Sequence, residues 1–180
     1  MSNKFSRILS FTLLTFVLAL GTNWSPPATA RTPDHVALSG QQQALVDDLQ
    51  QRTFRFFWES ANPANGLIPD HYPGESFSSI AAVGFGLTAY GVGVERGYIT
   101  REQAIERTLA TLRFFDTAPQ GDSEDGDSGY QGFFYHFLDM QSGKRFARWT
   151  EVSTVDTTLL LGCVLFAQSY YDRDTSAEHE

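Results

Sequence analysis

Residues 129–161 read GYQGFFYHFLDMQSGKRFARWTEVSTVDTTLLL, and three changes of pattern in this run govern the reading of the rest. An aromatic run with one histidine (Phe133, Phe134, Tyr135, His136, Phe137) has extended, β-hairpin character. A turn at Gln141, Ser142 and Gly143 then leads into a basic segment that ends at Trp149. Finally Glu151 and Asp156 flank the start of an apolar helix opened by Ser153. Aromatic faces beside paired carboxylates suit sugar binding and acid/base chemistry at a glycosidic bond.

Outward from this run, helical signals dominate. Residues 41–60 predict a helix in which Leu45, Leu49 and Phe56 recur at helical spacing, with a buried C-terminal end rich in Phe and Trp58. A loop follows (Asn62-Pro63, Asn65-Gly66, then Leu67-Ile68-Pro69-Asp70-His71). A second helix is expected from Ser78 or Ser79 to Glu95. Its four glycines (Gly84, Gly86, Gly91, Gly93) are tolerable only where neighbouring helices approach closely. Residues 100–115 predict a third helix, with Thr100 and Gln103 as a capping box and Ile105, Leu109 and Leu112 as its buried stripe. A Gly/Asp/Ser loop covers 116–130. The fourth helix runs from Ser153 to about Tyr171, and Thr175 with Glu178 is read as a further capping box. Helices joined by loops, with no βαβ alternation, imply an all-α array.

The first thirty residues read as an export signal. Lys4 and Arg7 precede an apolar run over 8–20, and Ala28-Thr29-Ala30 supplies a small-residue cleavage pattern. The run is short for a membrane span, so a cleaved, periplasmic or extracellular protein without a stable membrane anchor is expected, with 31–40 as a flexible lead-in. The formal net charge of the 180 residues is −8, and the leader carries cations only, so the remainder is more acidic still. That charge excludes nucleic acid as a natural partner. The single cysteine, Cys163, forms no intramolecular disulfide and reads as a small buried hydrophobe. Fifteen Phe and seven Tyr point to a dense core or an aromatic-lined cleft. No oligomeric state follows from the sequence.

Each candidate residue carries two readings. Glu151, beside Trp149 and a helix N-terminus, is either a catalytic acid/base or a carboxylate stabilised by the helix dipole. Asp156 completes S-x-x-D with Ser153 as a capping box, or shares the cleft with Glu151. Asp70 is a turn aspartate or a substrate ligand in a loop stiffened by Pro69. His136 is a structural histidine or a substrate contact, pointing to the opposite sheet face from Tyr135 and Phe137. Tyr135, Phe134 and Trp149 are core residues or sugar-stacking rings. The acidic run from Asp122 to Asp127 lacks the glycine and glutamate positions of an EF-hand and reads as a solvated loop. His35, His71, His136 and His179 are too scattered for a zinc site, and no metal or cofactor is expected.

The stretches GFFYHFLDMQSGKR, EVSTVDTTLLL, FRFFWESANPANGLIPD and SIAAVGFGLTAYGVGVERGYITREQA together resemble the bacterial glucoamylase-like domain. That family is related to endo-β-1,2-glucanases and to a domain of cyclic β-1,2-glucan synthases. The resemblance implies an (α/α)6 toroid of two concentric helix rings, of which residues 41–180 would form the N-terminal half with a small β-hairpin insertion. It implies hydrolysis of β-glucan, β-1,2-glucan in particular, by inversion, with transglycosylation as a related outcome. Glu151 and Asp156 are then the catalytic candidates, and Asp70, Tyr135, His136 and Trp149 the substrate-binding ones. His71 stands where the family pattern leads one to expect arginine. The domain so implied is several hundred residues long, so the alternative is a truncated, inactive fragment that binds glycans or another chain.

Overall fold

The computed structural model describes residues 37–123, 125–173 and 175–179. The leader expected over 1–30, and the lead-in as far as residue 36, lie outside them. The chain divides into two compact units, Met1–Ser39 and Gly40–Glu180. Residues 37–39 of the first have no regular structure.

The second unit is mostly helical. Its helices are α1 (Gly40–Glu59), α2 (Ile80–Glu95), α3 (Arg101–Thr117) and α4 (Thr154–Tyr170). Its strands have two residues each: β1 (Ser78–Ser79), β2 (Gly129–Tyr130), β3 (Phe133–Phe134) and β4 (Phe137–Leu138). The central helix is α2, packed against α1, α3 and α4. Its glycines explain how. A Cβ on Gly84 would lie 2.9 Å from the Leu160 Cα, so α2 and α4 meet backbone to backbone. One buried cluster (Leu67, Ile68, Ile80, Val83, Phe134, Leu138, Leu160) lies under the strands. A second (Leu87, Tyr90, Ala104, Ala167, Tyr171) lies between α2, α3 and α4.

Four expectations change. Ser79 is the N-cap residue of α2 but makes no side-chain capping bond, and with Ser78 it pairs antiparallel with β4, Ser78 opposite Leu138 and Ser79 opposite Phe137. The expected hairpin becomes several short pairings. β2 and β3 form a hairpin about Gln131 and Gly132, both with positive φ (51° and 86°), as a type I′ turn requires. Beyond β4, the Gly143 turn closes a second hairpin, with Leu138 bridging Arg145 and the Phe146 N–H donating to the Phe137 carbonyl at 3.0 Å.

On α3 the capping box of Thr100 and Gln103 forms as expected. The face turned fully inward is Ala104, Thr108 and Thr111, because close helix contact selects small side chains. The larger Ile105, Leu109 and Leu112 line a groove of about 340 Å³ shared with Val164, Ala167 and Tyr171. On α1, burial starts only at Phe54; Leu45 and Leu49 are more than half exposed, since no described element packs against that half of the helix.

The Thr175–Glu178 pattern caps incompletely. The Glu178 N–H donates to Thr175 Oγ1 at 3.3 Å, but the carboxylate is taken by Arg101, whose Nε and Nη2 donate to its two oxygens at 2.9 Å. Among the described residues, no helix is long and apolar enough to cross a membrane.

Candidate active site

The site is assembled where the strand segment around Tyr135 meets the entry to α4. Strand alternation decides which side chains reach it. Tyr135 bridges Val152, the His136 N–H donates to the Glu151 carbonyl at 3.0 Å, and the Ser153 N–H donates to the Phe134 carbonyl at 3.0 Å. The Phe134 N–H in turn donates to the buried Thr157 Oγ1 on the first turn of α4 (3.0 Å). This register turns Tyr135 inward and His136 outward.

His136 stands between two carboxylates. Its Nδ1 lies 2.8 Å from Glu151 Oε1 and its Nε2 lies 3.6 Å from Asp156 Oδ2. The ring stacks on Phe137, with centroids 3.8 Å apart. Ser153 caps α4: its Oγ accepts from the Asp156 N–H at 3.1 Å and donates to Asp156 Oδ2. The capping half of the Asp156 reading is met on one side only, because the Ser153 N–H donates to the Phe134 carbonyl and not to the Asp156 carboxylate; that carboxylate also faces the imidazole. Glu151 is open to water, its side chain 61% exposed. A backbone N–H of its own, and then the His136 contact, hold its carboxyl below the ordinary value of 4.5.

The other sequence candidates separate. Trp149 is 62% exposed beside this group. Tyr135 is 4% exposed; its hydroxyl donates to the Gly121 carbonyl (3.2 Å) and the Arg145 guanidinium lies 4.5 Å over its ring, so it presents no face to a ligand. Asp70 reaches the site indirectly. Its N–H donates to the Phe77 carbonyl at 2.9 Å, and Pro69 bridges Ser78, so the loop is fastened to the β1–β4 ribbon that carries Phe137. Asp70 Oδ2 lies 3.4 Å from His71 Nδ1, which also contacts Ser76 Oγ at 3.1 Å. His71, at the position where arginine is expected, thus keeps a polar neighbour on Asp70.

Sequence reasoning missed Phe77 and Phe146. Phe77 sits 4.3 Å from Phe137 and 4.7 Å from Phe146, ring centre to ring centre. Phe77 carries no periodic signal, and Phe146 looked like one apolar residue in a basic segment. Among the described residues no group of three or more His, Cys, Asp or Glu side chains is arranged to hold a metal ion. In the acidic loop, the Asp127 carboxylate instead accepts from the Ser123 N–H at 2.9 Å.

No protein-family model matches the chain. An exo β-1,2-glucooligosaccharide sophorohydrolase of Parabacteroides distasonis is 31% identical over 143 residues, 77% of this chain and 19% of that protein. A solved structure from Bacteroides uniformis, described as a candidate glucoamylase, superposes with a TM-score of 0.65 at 31% identity, over 79% of this chain and 34% of the other. An endo-β-1,2-glucanase from Chitinophaga pinensis, solved with sophorotriose and glucose, gives 0.64 at 26% identity over 79% of this chain and 34% of that one. These relatives are glycoside hydrolases. The chain belongs to the glucoamylase-like group, whose members here include β-1,2-glucan-acting enzymes. It spans about a fifth of the curated relative and about a third of these solved chains.

Proposed function

We propose that residues 40–179 carry part of the active site of a β-glucan hydrolase, with β-1,2-glucan as substrate and inversion as outcome. The observation that carries this reading is the Glu151–His136–Asp156 group, with Glu151 open to solvent beside the exposed Trp149. Two carboxylates on opposite sides of one imidazole suit the wider spacing of about 6.5–9.5 Å that leaves room for water in an inverting site. Glu151 is ionised at neutral pH, the state a general base needs, because the hydrogen bonds that favour its charged form outweigh the smaller opposing effect of desolvation. It therefore takes the water-activating role. His136 holds it in place, Asp156 across the imidazole is the candidate acid that protonates the leaving oxygen, and Trp149 orients the sugar.

The four helices are then the N-terminal part of an (α/α)6 double ring. The likeness to solved relatives supports this. Residues 1–30 direct export, supported by their charge and small-residue pattern. Amino-terminal sequencing of protein recovered from the cell envelope tests the export claim.

The test of function is release of reducing sugar from linear β-1,2-glucan by the chain, with Glu151→Gln as control. Release that disappears in the control supports the assignment. Equal release from both forms removes Glu151 from the mechanism.

A further inference from the structure

We propose that Phe146 and Trp149, braced from behind by Phe77, form a stacking platform for a further glucosyl unit of the glucan chain, next to Glu151. This rests on the reading above and extends it to a second sugar position.

The rings are continuous with the site. From His136 the path runs to Phe137 (3.8 Å), to Phe77 (4.3 Å) and to Phe146 (4.7 Å). Trp149 closes the group, 5.9 Å from Phe137, 6.2 Å from Phe146 and 6.4 Å from Phe77. Three separate segments contribute: the approach to β1, β4 itself, and the basic segment after Gly143. A cluster built this way has fixed geometry, because each ring is held by rings from other parts of the chain.

Yet Trp149 is 62% and Phe146 43% exposed. Apolar area left in water forgoes about 25 cal/mol per Å². A rigid apolar patch rimmed by polar groups is the form of a binding site. The rings meet Trp149 at steep angles of 65° to 77°, so no parallel neighbour covers the indole. An open aromatic face matches the flat C–H face of a pyranose.

The rim selects the ligand. Glu151 joins the cluster through His136, which stacks on Phe137, and Asp70 joins it through His71, whose ring meets Phe77 edge-on at 6.0 Å. Carboxylates accept from hydroxyl groups and repel anions, and the whole chain is acidic. A neutral, polyhydroxylated chain entering the adjacent site fits both features. Because the rings are already ordered, binding costs little side-chain entropy.

The experiment uses the full chain with Glu151→Gln, which stops turnover, and measures its affinity for β-1,2-linked gluco-oligosaccharides of increasing length by calorimetry. Phe146→Ala and Trp149→Ala are each compared with Leu165→Ala, an exposed apolar position on α4 away from the platform. Both platform positions are exposed, so the variants fold; circular dichroism checks this. The expected result is a loss of about ten-fold for the longer oligosaccharides, little change for the shortest, and none in the α4 control. Unchanged affinity at every length overturns the platform, and if the native chain still releases sugar, the functional reading survives alone. If the chain neither binds nor cleaves β-1,2-glucan, both fall. Altered self-association with unaltered sugar affinity overturns the platform in favour of a protein contact.

Discussion

Gly84 of α2 faces the main chain of α4 so closely that a Cβ there would lie 2.9 Å from the Leu160 Cα. The next nearest atoms, Leu159 O at 3.2 Å and Leu160 N at 3.3 Å, are also backbone. Nothing at this crossing can rotate aside. Gly84→Ala gains about 1 kcal/mol of helix propensity and loses about 1–3 kcal/mol to overpacking. Net destabilisation is expected, read as a lower denaturant midpoint. Gly162, exposed on α4 with open space around it, is the internal contrast. Gly162→Ala should raise the midpoint by up to about 1 kcal/mol of stability.

The Glu178 carboxyl is drawn down to about 2, first by the Arg101 hydrogen bonds and then by the Arg173 N–H. A depressed carboxylate stabilises the fold fully above its ordinary 4.5 and loses that contribution as pH falls through about 2. Glu178→Gln should therefore lower the melting temperature at neutral pH. The gap from the native chain should close between pH 4.5 and about 2. A gap that stays constant over that interval would show that the ion pair contributes nothing.

Glu151 acting as a base fixes the sign of the acid limb. Activity requires the ionised form, so it should persist below pH 4.5 before falling. His136→Ala removes one of the contacts that favour ionisation and should move the limb upward. His136→Asn, which can keep a donor near Glu151, should restore part of the shift. A limb that is the same in all three forms would exclude His136 from holding Glu151.

Thr157 ties the strand segment to α4, accepting from the Phe134 N–H and donating to the Ser153 carbonyl at 2.6 Å. The near-isosteric Thr157→Val leaves a buried N–H without its partner. The cost should be about 1–3 kcal/mol in chemical denaturation. The variant should also lose activity at temperatures where it remains folded, because the register beside Glu151 loosens.

Much of this was legible in the sequence, for identifiable reasons. The helices were marked by caps such as Thr100 with Gln103 and Ser153 with Asp156, whose bonds form locally and need no tertiary context. The glycines of α2 announced close packing because nothing else justifies four of them in one helix. The inward face of α3 was misjudged because hydrophobicity points to Ile105 and Leu109, whereas a tight crossing selects Ala104 and Thr108 for size. Tyr135 and Trp149 looked equivalent as aromatics. Only the bridge to Val152 decides that one is buried beneath Arg145 and the other is open. Phe77 was illegible, since its neighbours come from segments remote in the chain.

The β1–β4 ribbon also sets when the site comes into being. Ser78–Ser79 and Phe137–Leu138 pair across the whole of α2 and α3, which lie between them in the chain, so the Asp70 loop and the Glu151 entry meet through a long-range closure. Such closures bear their entropic penalty before contacts compensate it, and they form late on a folding pathway. A peptide spanning 129–161 holds Glu151, His136 and Trp149 but has neither Phe77 nor the strand that orders Phe137. The proposed sugar site is thus a property of the finished tertiary structure, and no short segment of the chain carries it.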